Sequence, residues 1–429
     1  MSWRLLANHG WQAPLAFAAR YADTKCMALL YSGRHEAHSG RYSFLFLEPA
    51  FHAIGSDWSD LPMIDEQVGE LPDWVGYLGY GMRGGNEAPR GAASFIALPD
   101  FWLTRYQRLF RFNHHEEKIE EWGRYHAKAP QEIPDSSRRQ ASLPEIDLLQ
   151  SSMTKKAYQT VVQATVSAIE AGNFYQANIT RKFHGRFASE PESFTLFERL
   201  CAASPAPYSA YIKHGGQAIL SSSPECFLSI DADGRITSRP IKGSSPCSPD
   251  PAEDEKLRAS LADSPKNQAE NLMITDLMRH DLAQVSEVGS VMVEEQSVLY
   301  SYATIHHLVS TVSACKLPSA SANDVIKACF PPGSMTGAPK RAAMHWCAAQ
   351  EKVERGVYSG AIGWFGAQSR CDLSVVIRTI LLDGGRFEFQ VGGGIVSESD
   401  AEEEWRETLT KARGICQALG LKEEQLAAL

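Results

Sequence analysis

Residues 224–243 read "PECFLSIDADGRITSRPIKG". Two β-like runs flank Asp233-Gly234, a dipeptide suited to the φ > 0 positions of a two-residue turn, so the stretch predicts a β-hairpin. Centred on that turn, residue 225 falls opposite residue 242, which makes Glu225 and Lys242 cross-strand neighbours at the open end. A carboxyl held beside a partly desolvated amine can serve as general acid and nucleophile. For an arbitrary Glu-Lys pair, an ordinary salt bridge is the commoner outcome. Pro240 has no N–H to give to a ladder and points to an edge or a bulge.

The same neighbour-to-neighbour pairing extends along the chain. Residues 359–365, 372–382 and 386–391 predict a meander with turns at "GAQSR" (366–370) and "DGG" (383–385). Thr154 can cap a helix carrying Tyr158, Val161, Val162, Val166 and Ile169 on one face, interrupted by Thr165 and ended by Gly172. A second helix is expected over about residues 266–282, with Leu272, Met273, Leu277 and Met278 inward. A third begins near Ser399, where Ser399 and Glu402 have capping-box spacing, and its core stripe is Trp405, Leu409, Ala412, Cys416 and Leu419. Residues 125–154 are rich in Pro, Ser, Gln and charge and read as a linker. The chain divides there into residues 1–145, mainly β, and residues 146–429.

With 429 residues, 44% of them hydrophobic, the chain can bury a large core. Its net charge of −9, with no basic face interleaved with aromatics, argues against nucleic acid. No run reaches the roughly 18 apolar residues of a membrane helix, and the N-terminal stretch lacks a secretory pattern, so a cytoplasmic location is expected. The nine cysteines include no C-x-x-C pair, which argues for free thiols and against a structural zinc. None lies in a G-x-C-x-G turn either. "GSMTGAPK" (333–340) lacks P-loop spacing, and no dinucleotide fingerprint is present.

Four further features carry chemistry. Glu404, Glu407 and Lys411 share one helix stripe and could hold Mg²⁺, or else form a solvated acidic face. Just before that helix, Gly392, Gly393 and Gly394 offer bare backbone to an anion. Arg378 lies in an apolar strand and needs an acidic partner, internal or bound. His306 and His307 adjoin on a strand, so one of them is expected to face inward.

These features fall within motifs that carry a family likeness. "PIKGS" (240–244), "DSPKNQAENLMITDLMRHDL" (263–282), "HHLVSTV" (306–312), "FPPGSMTGAPK" (330–340), "YSGAIGWF" (358–365), "VVIRT" (375–379) and "VGGGIVSESDAEEEWRETLTKA" (391–412) resemble, in this order, the chorismate-utilising enzymes. "ALLYSG" (28–33) resembles the segment that forms a tryptophan pocket in relatives. The resemblance implies an α+β fold, a four-layer α/β/β/α sandwich with two orthogonally packed antiparallel sheets. In this family a lysine in "PIKG" marks the branch that makes 4-amino-4-deoxychorismate, where anthranilate-forming members have alanine. By resemblance, then, Lys242 is a nucleophile and Glu225 a general acid. Glu270 and Glu407 bind Mg²⁺ with Glu404 nearby or through water. Gly393, Gly394 and Lys411 hold the ring carboxylate, Tyr358 and Arg378 the enolpyruvyl carboxylate, and His307, Ser334 and Ser244 line the ring. Ser244 and Ser334 stand where the family often has threonine, and "RHD" (279–281) replaces "RND". Lacking an amidotransferase cysteine, the chain is expected to use free ammonia alone and glutamine only with a separate amidotransferase subunit. The alternatives are anthranilate formation, isochorismate or salicylate formation, and a non-catalytic chorismate- or amino-acid-binding regulator.

Overall fold

The computed structural model describes residues 3–33, 40–62, 69–83, 88–124, 142–301 and 305–429. All strand ladders among them run antiparallel, as expected of hairpin-built β structure; the one parallel contact is an isolated bridge between Ala92 and Val353. One sheet runs from Arg4–His9 through Lys118–Gly123, Phe101–Asn113, Tyr42–Gly55, Cys26–Tyr31, Tyr208–His214, Gln217–Ser223, Thr379–Asp383 and Arg386–Ile395 to Gln176–Phe187 and Ile146–Ser151. The other starts from the opposite half of Phe101–Asn113. It continues through Pro72–Leu78, Ala361–Gly366, Cys371–Val375, Cys226–Ile230, Arg235–Arg239 and Ile305–Cys315 to Met292–Ser301.

The two sheets are therefore continuous through the long pair Tyr42–Gly55 and Phe101–Asn113. That pair carries a register shift between Pro49 and Phe51, and Glu48 has φ 59°. Strands that bend at a bulge and pass from one sheet to the other are how such packings turn corners.

Three cores separate four layers. Between the sheets lie Ala28, Phe46, Ile212 and Ile219 from one and Val75, Tyr77 and Ile362 from the other. On the first sheet's outer face, Phe183, Phe389 and Val391 meet the helices Lys155–Glu170, Ser193–Ala203 and Ala401–Leu419. On the second sheet's outer face, Leu228, Leu373 and Val312 meet Pro265–Ala283 and Ala322–Cys329. The expected α/β/β/α sandwich is the architecture observed. A cavity of about 300 Å³ lies between the sheets, beside Ser32 of the "ALLYSG" segment and Tyr208, Arg239 and Asp372.

Local expectations fare unevenly. The helix after Thr154 forms with Thr154 as its N-cap, and Thr165 is buried because its hydroxyl accepts the Trp346 indole N–H at 2.9 Å. The last helix buries the whole expected stripe, but its cap is Asp400, not Ser399. Ser399 instead donates to Glu404 at 2.7 Å. Helix Pro265–Ala283 buries Glu270, Asn271, Thr275 and Asp281 while Leu272 is exposed, so its inner face is partly polar, which an apolar count could not reveal.

The opening hairpin also differs. Ile230 pairs with Ile236 and the Asp231 N–H donates to the Arg235 carbonyl at 3.1 Å, leaving residues 232–234 as a three-residue loop with Gly234 at φ 77°, so the register is one residue from a two-residue turn until a bulge between Cys226 and Ser229. The expected strand over 372–382 is two strands in different sheets, with Arg378 at φ 50° in the crossing between them. Both His306 and His307 are buried, on opposite sides of their strand: His306 reaches Asp254 at 3.0 Å and His307 reaches Ser244. No helix among the described residues is long and apolar enough to cross a membrane.

Candidate active site

The site forms where the chain passes between the sheets. Glu225 lies in the crossing from Gln217–Ser223 to Cys226–Ile230, and Arg378 in the adjacent return crossing from Cys371–Val375 to Thr379–Asp383. Backbone bonds lock these crossings together: Val375 donates to the Glu225 carbonyl at 3.0 Å, and Ser222 to that of Arg378 at 3.2 Å. The turn bearing Tyr358 is tied to the same place through Ser359, whose N–H donates to Val376 at 2.9 Å. Crossings leave strand edges without regular partners, so polar groups can be presented there that a ladder interior would not hold.

Lys242 enters from strand Ile241–Pro246, just past the Pro240 break, where Gly243 takes φ 84°. Its Nζ donates to the Ser334 carbonyl at 3.1 Å. The Glu225 carboxyl accepts from the Ile241 N–H at 3.4 Å, and the Ser334 hydroxyl lies near enough to favour its charged form. Ser334 thus stands between acid and amine, bonded to the amine and close to the acid. Ser334 is braced in turn by Arg355, which donates to the neighbouring Met335 carbonyl at 2.6 Å while paired with Glu351 at 2.6 Å. Burial raises the Glu225 carboxyl above its ordinary range, against the opposing pull of Ser334 and Lys242. Burial lowers the Lys242 amine, helped by the Lys411 charge and opposed by Glu270. Both shifts favour the neutral forms, the protonated acid and the free amine.

Across from this pair, strand Arg386–Ile395 supplies a bare floor. A Cβ on Gly394 would stand 2.4 Å from Gln176 Nε2, 3.1 Å from Lys242 Nζ and 3.2 Å from Glu270 Oε2. One on Gly393 would stand 2.8 Å from Glu404 Oε2 and 3.6 Å from Glu407 Oε1. Lys411 bonds Glu407 at 2.5 Å and the Gly392 carbonyl at 3.0 Å, and Lys266 bonds Glu404 at 2.9 Å. The Glu407 and Lys411 side chains each keep 43% of their surface, so the pair faces an open cleft. Burial pushes Glu404 and Glu270 up, and their mutual repulsion with Glu407 adds to it. Glu407 is itself held low because Lys411 outweighs burial.

Whether these residues suit a hard dication can be judged from the donors. Glu404 Oε2 is buried with no hydrogen-bond partner, a costly state that a cation would relieve. Among the described residues the donor trios that close to within 4.8 Å are Cys26, His52, His214 and Cys247, Asp254, His306, so Glu270, Glu404 and Glu407 are spread more widely. The three therefore do not form a closed ligand set by themselves; a fit to Mg²⁺ rests on Glu404 Oε2 and Glu407 Oε1, which both overhang Gly393, with the remaining positions on water and substrate oxygens.

Gln176, which sequence reasoning missed, donates to Glu270 at 3.3 Å and overhangs Gly394. Nothing in "QANITRK" (176–182), where polar and apolar residues are mixed, sets this glutamine apart. For Gly394→Ala, the clashing atoms are ends of side chains, so the fold should survive. Displacing Lys242 and Glu270 by an ångström or so is expected to cost roughly 10²-fold in kcat/KM, with Tm nearly unchanged. Steady-state kinetics and a thermal melt on the same sample check this; a wild-type kcat/KM would show that nothing reacts above this floor.

Residues 29–417 match the family described as chorismate binding enzyme. The chain belongs to that family. One relative, the aminodeoxychorismate synthase of Streptomyces griseus, is 37% identical over 84% of this chain and 52% of its own length. The chain spans about half the length of that protein and of its Streptomyces pristinaespiralis counterpart. Aminodeoxychorismate synthase component 1 of Salmonella typhimurium is 35% identical over 89% of this chain and 85% of the relative. Among solved structures, anthranilate synthase component I of Streptococcus pneumoniae is similar with TM-score 0.75 and 26% identity, covering 90% of this chain and 94% of that one. The Escherichia coli isochorismate synthase MenF, at 18% identity and TM-score 0.76 over 97% of this chain and 94% of its own, shares the fold. The same fold is thus found in proteins named for different reactions, so the fold by itself does not choose among them.

Proposed function

We propose that this chain makes 4-amino-4-deoxychorismate from chorismate and ammonia. The observation that carries the reading is the approach of the Lys242 amine and the Glu225 carboxyl to Ser334, each displaced toward its neutral form. The names of the Streptomyces and Salmonella relatives support it. The neutral Lys242 amine attacks ring carbon C2 while Glu225 gives its proton to the C4 hydroxyl, which leaves as water as the double bonds shift. Ammonia then adds at C4, the double bonds shift back, the Lys242 nitrogen departs from C2 as the free amine, and the new C4 ammonium returns a proton to the Glu225 carboxylate. Overall, hydroxyl is exchanged for amine and Lys242 is regenerated.

In this reading Lys411 and the Gly393 and Gly394 backbone receive the ring carboxylate. Tyr358 and Arg378 receive the enolpyruvyl carboxylate, and Ser244, His307 and Ser334 line the ring. Mg²⁺ held by Glu270 and Glu407, with Glu404 adjacent, would supply positive charge against the ring carboxylate. The designation "component 1" of the Salmonella relative supports a second subunit, which we take to be a glutamine amidotransferase that delivers ammonia. Nine free cysteines fit work in the reducing cytoplasm.

The test is product analysis by chromatography and mass spectrometry of the pure chain with chorismate, Mg²⁺ and an ammonium salt at alkaline pH. Aminodeoxychorismate is expected. Anthranilate as the main product would move the chain to the other amination, and no consumption of chorismate would leave a binding protein.

A further inference from the structure

Away from the acidic cleft, three donors of a different kind converge on the first sheet. Cys26 and His214 are a direct cross-strand pair between Cys26–Tyr31 and Tyr208–His214, with Sγ 3.1 Å from Nδ1. His52, from Tyr42–Gly55, brings a second imidazole, and one donor atom from each of the three residues lies within 4.8 Å of the others. We propose that Cys26, His52 and His214 bind a transition-metal dication of the Zn²⁺ class.

The geometry is close to what such an ion requires. Tetrahedral Zn²⁺ with a sulfur at about 2.3 Å and a nitrogen at about 2.0 Å sets those two ligands roughly 3.5 Å apart. Their 3.1 Å separation here needs only a small opening. Outer contacts already orient the rings, as ligating histidines require. Thr104 Oγ1 lies 3.0 Å from His52 Nδ1 and 3.4 Å from His214 Nε2, which leaves His214 Nδ1 toward the thiol. The Trp102 ring stacks on His214 at 4.1 Å and stands edge-on to His52, with its indole N–H on His52 Nδ1 at 3.3 Å; ligation through His52 Nε2 requires this long bond to yield, so that Nδ1 carries the ring proton toward Thr104. His52 is exposed, giving the ion an entry path and a water in the fourth position. One thiolate with two imidazoles favours Zn²⁺ or Co²⁺ over Mg²⁺, and the all-oxygen cleft favours the reverse, so the two sites sort ions by donor softness. The three donors lie far apart in sequence, which is why cysteine spacing gave no hint of zinc.

The test uses the full chain, stripped with a chelator and titrated with Co²⁺. One equivalent is expected to raise a thiolate-to-cobalt band in the near ultraviolet with the visible bands of a tetrahedral ion. Cys26→Ser should abolish the near-ultraviolet band. The exposed His52→Gln, which carries little risk to folding, should weaken binding roughly 10-fold or more. Cys247→Ser, in the cluster with Asp254 and His306, should change nothing. Absence of the band in the wild type, its survival in Cys26→Ser, unchanged affinity in His52→Gln, or its loss in Cys247→Ser would each overturn the assignment.

Discussion

Lys242→Ala is expected to fold normally and to form aminodeoxychorismate about 10³-fold or more slowly than wild type, the scale on which covalent catalysis collapses when its nucleophile is removed. The fold should tolerate the change because the side chain keeps part of its surface and, among the described residues, its nitrogen has one hydrogen-bond acceptor, the Ser334 carbonyl. Removing it relieves a cation that burial already disfavours. Mass spectrometry of products under single-turnover conditions reads the rate, and intact-protein mass spectrometry of the wild type with chorismate but no ammonia should reveal a covalent adduct absent from the variant. A variant that still aminates C4 at the wild-type rate would end the nucleophile reading. A variant yielding anthranilate instead would show that the pocket positions ammonia at C2 once the lysine is gone.

Glu225→Gln should lower kcat by roughly 10²- to 10⁴-fold, the usual contribution of a general acid. Its pH profile is the sharper readout. Productive encounter needs Lys242 unprotonated and Glu225 protonated together. From ordinary values of 10.5 and 4.5, only about one molecule in 10⁶ would hold that combination. Burial moves the two toward each other, and every unit by which the gap closes raises the competent fraction about tenfold. In wild type, kcat/KM should rise with pH through the lower of the two values and fall through the higher, giving a bell. In Glu225→Gln the residual rate should lose the limb that belongs to Glu225 and keep the limb of Lys242, rising as the amine deprotonates. An unchanged bell would assign both limbs to other groups.

What could be read in advance followed from local pattern. The stripe from Trp405 to Leu419 keeps helical period and points at one core, and both copies of that information, sequence and burial, agree. The hairpin around Asp233-Gly234 was legible as a hairpin, yet its loop length and the bulge near Cys226 were not, because both are set by pairing with distant strands. The same holds for residues 372–382. Nothing in "DLSVVIRTILL" marks the change of sheet at Arg378 except the arginine itself, which reads as a buried charge seeking a partner. Glu225 and Lys242 read as opposite members of a hairpin; Lys242 instead bonds the Ser334 carbonyl, more than 90 residues further on, with Glu225 close by. The inward polar side of Pro265–Ala283 looked like the solvent side because Glu270, Asn271 and Asp281 are ordinary surface residues until a cleft encloses them.

The sharing of both sheets between the two ends of the chain has a consequence for its synthesis. Strand Pro72–Leu78 pairs with Ala361–Gly366, so about 280 residues separate one edge from its partner. At ribosomal rates of roughly 5–20 residues per second, that edge waits on the order of 15 to 60 s before its ladder can close. Cys26–Tyr31 waits less long, for Tyr208–His214. During that interval the emerging chain displays open strand edges next to unburied Trp74, Val75 and Tyr77, the combination from which nascent β proteins aggregate. Its yield in a cell should therefore depend on chaperones that shield the first hundred residues, and on slower growth at lower temperature, more than on the stability of the finished sandwich.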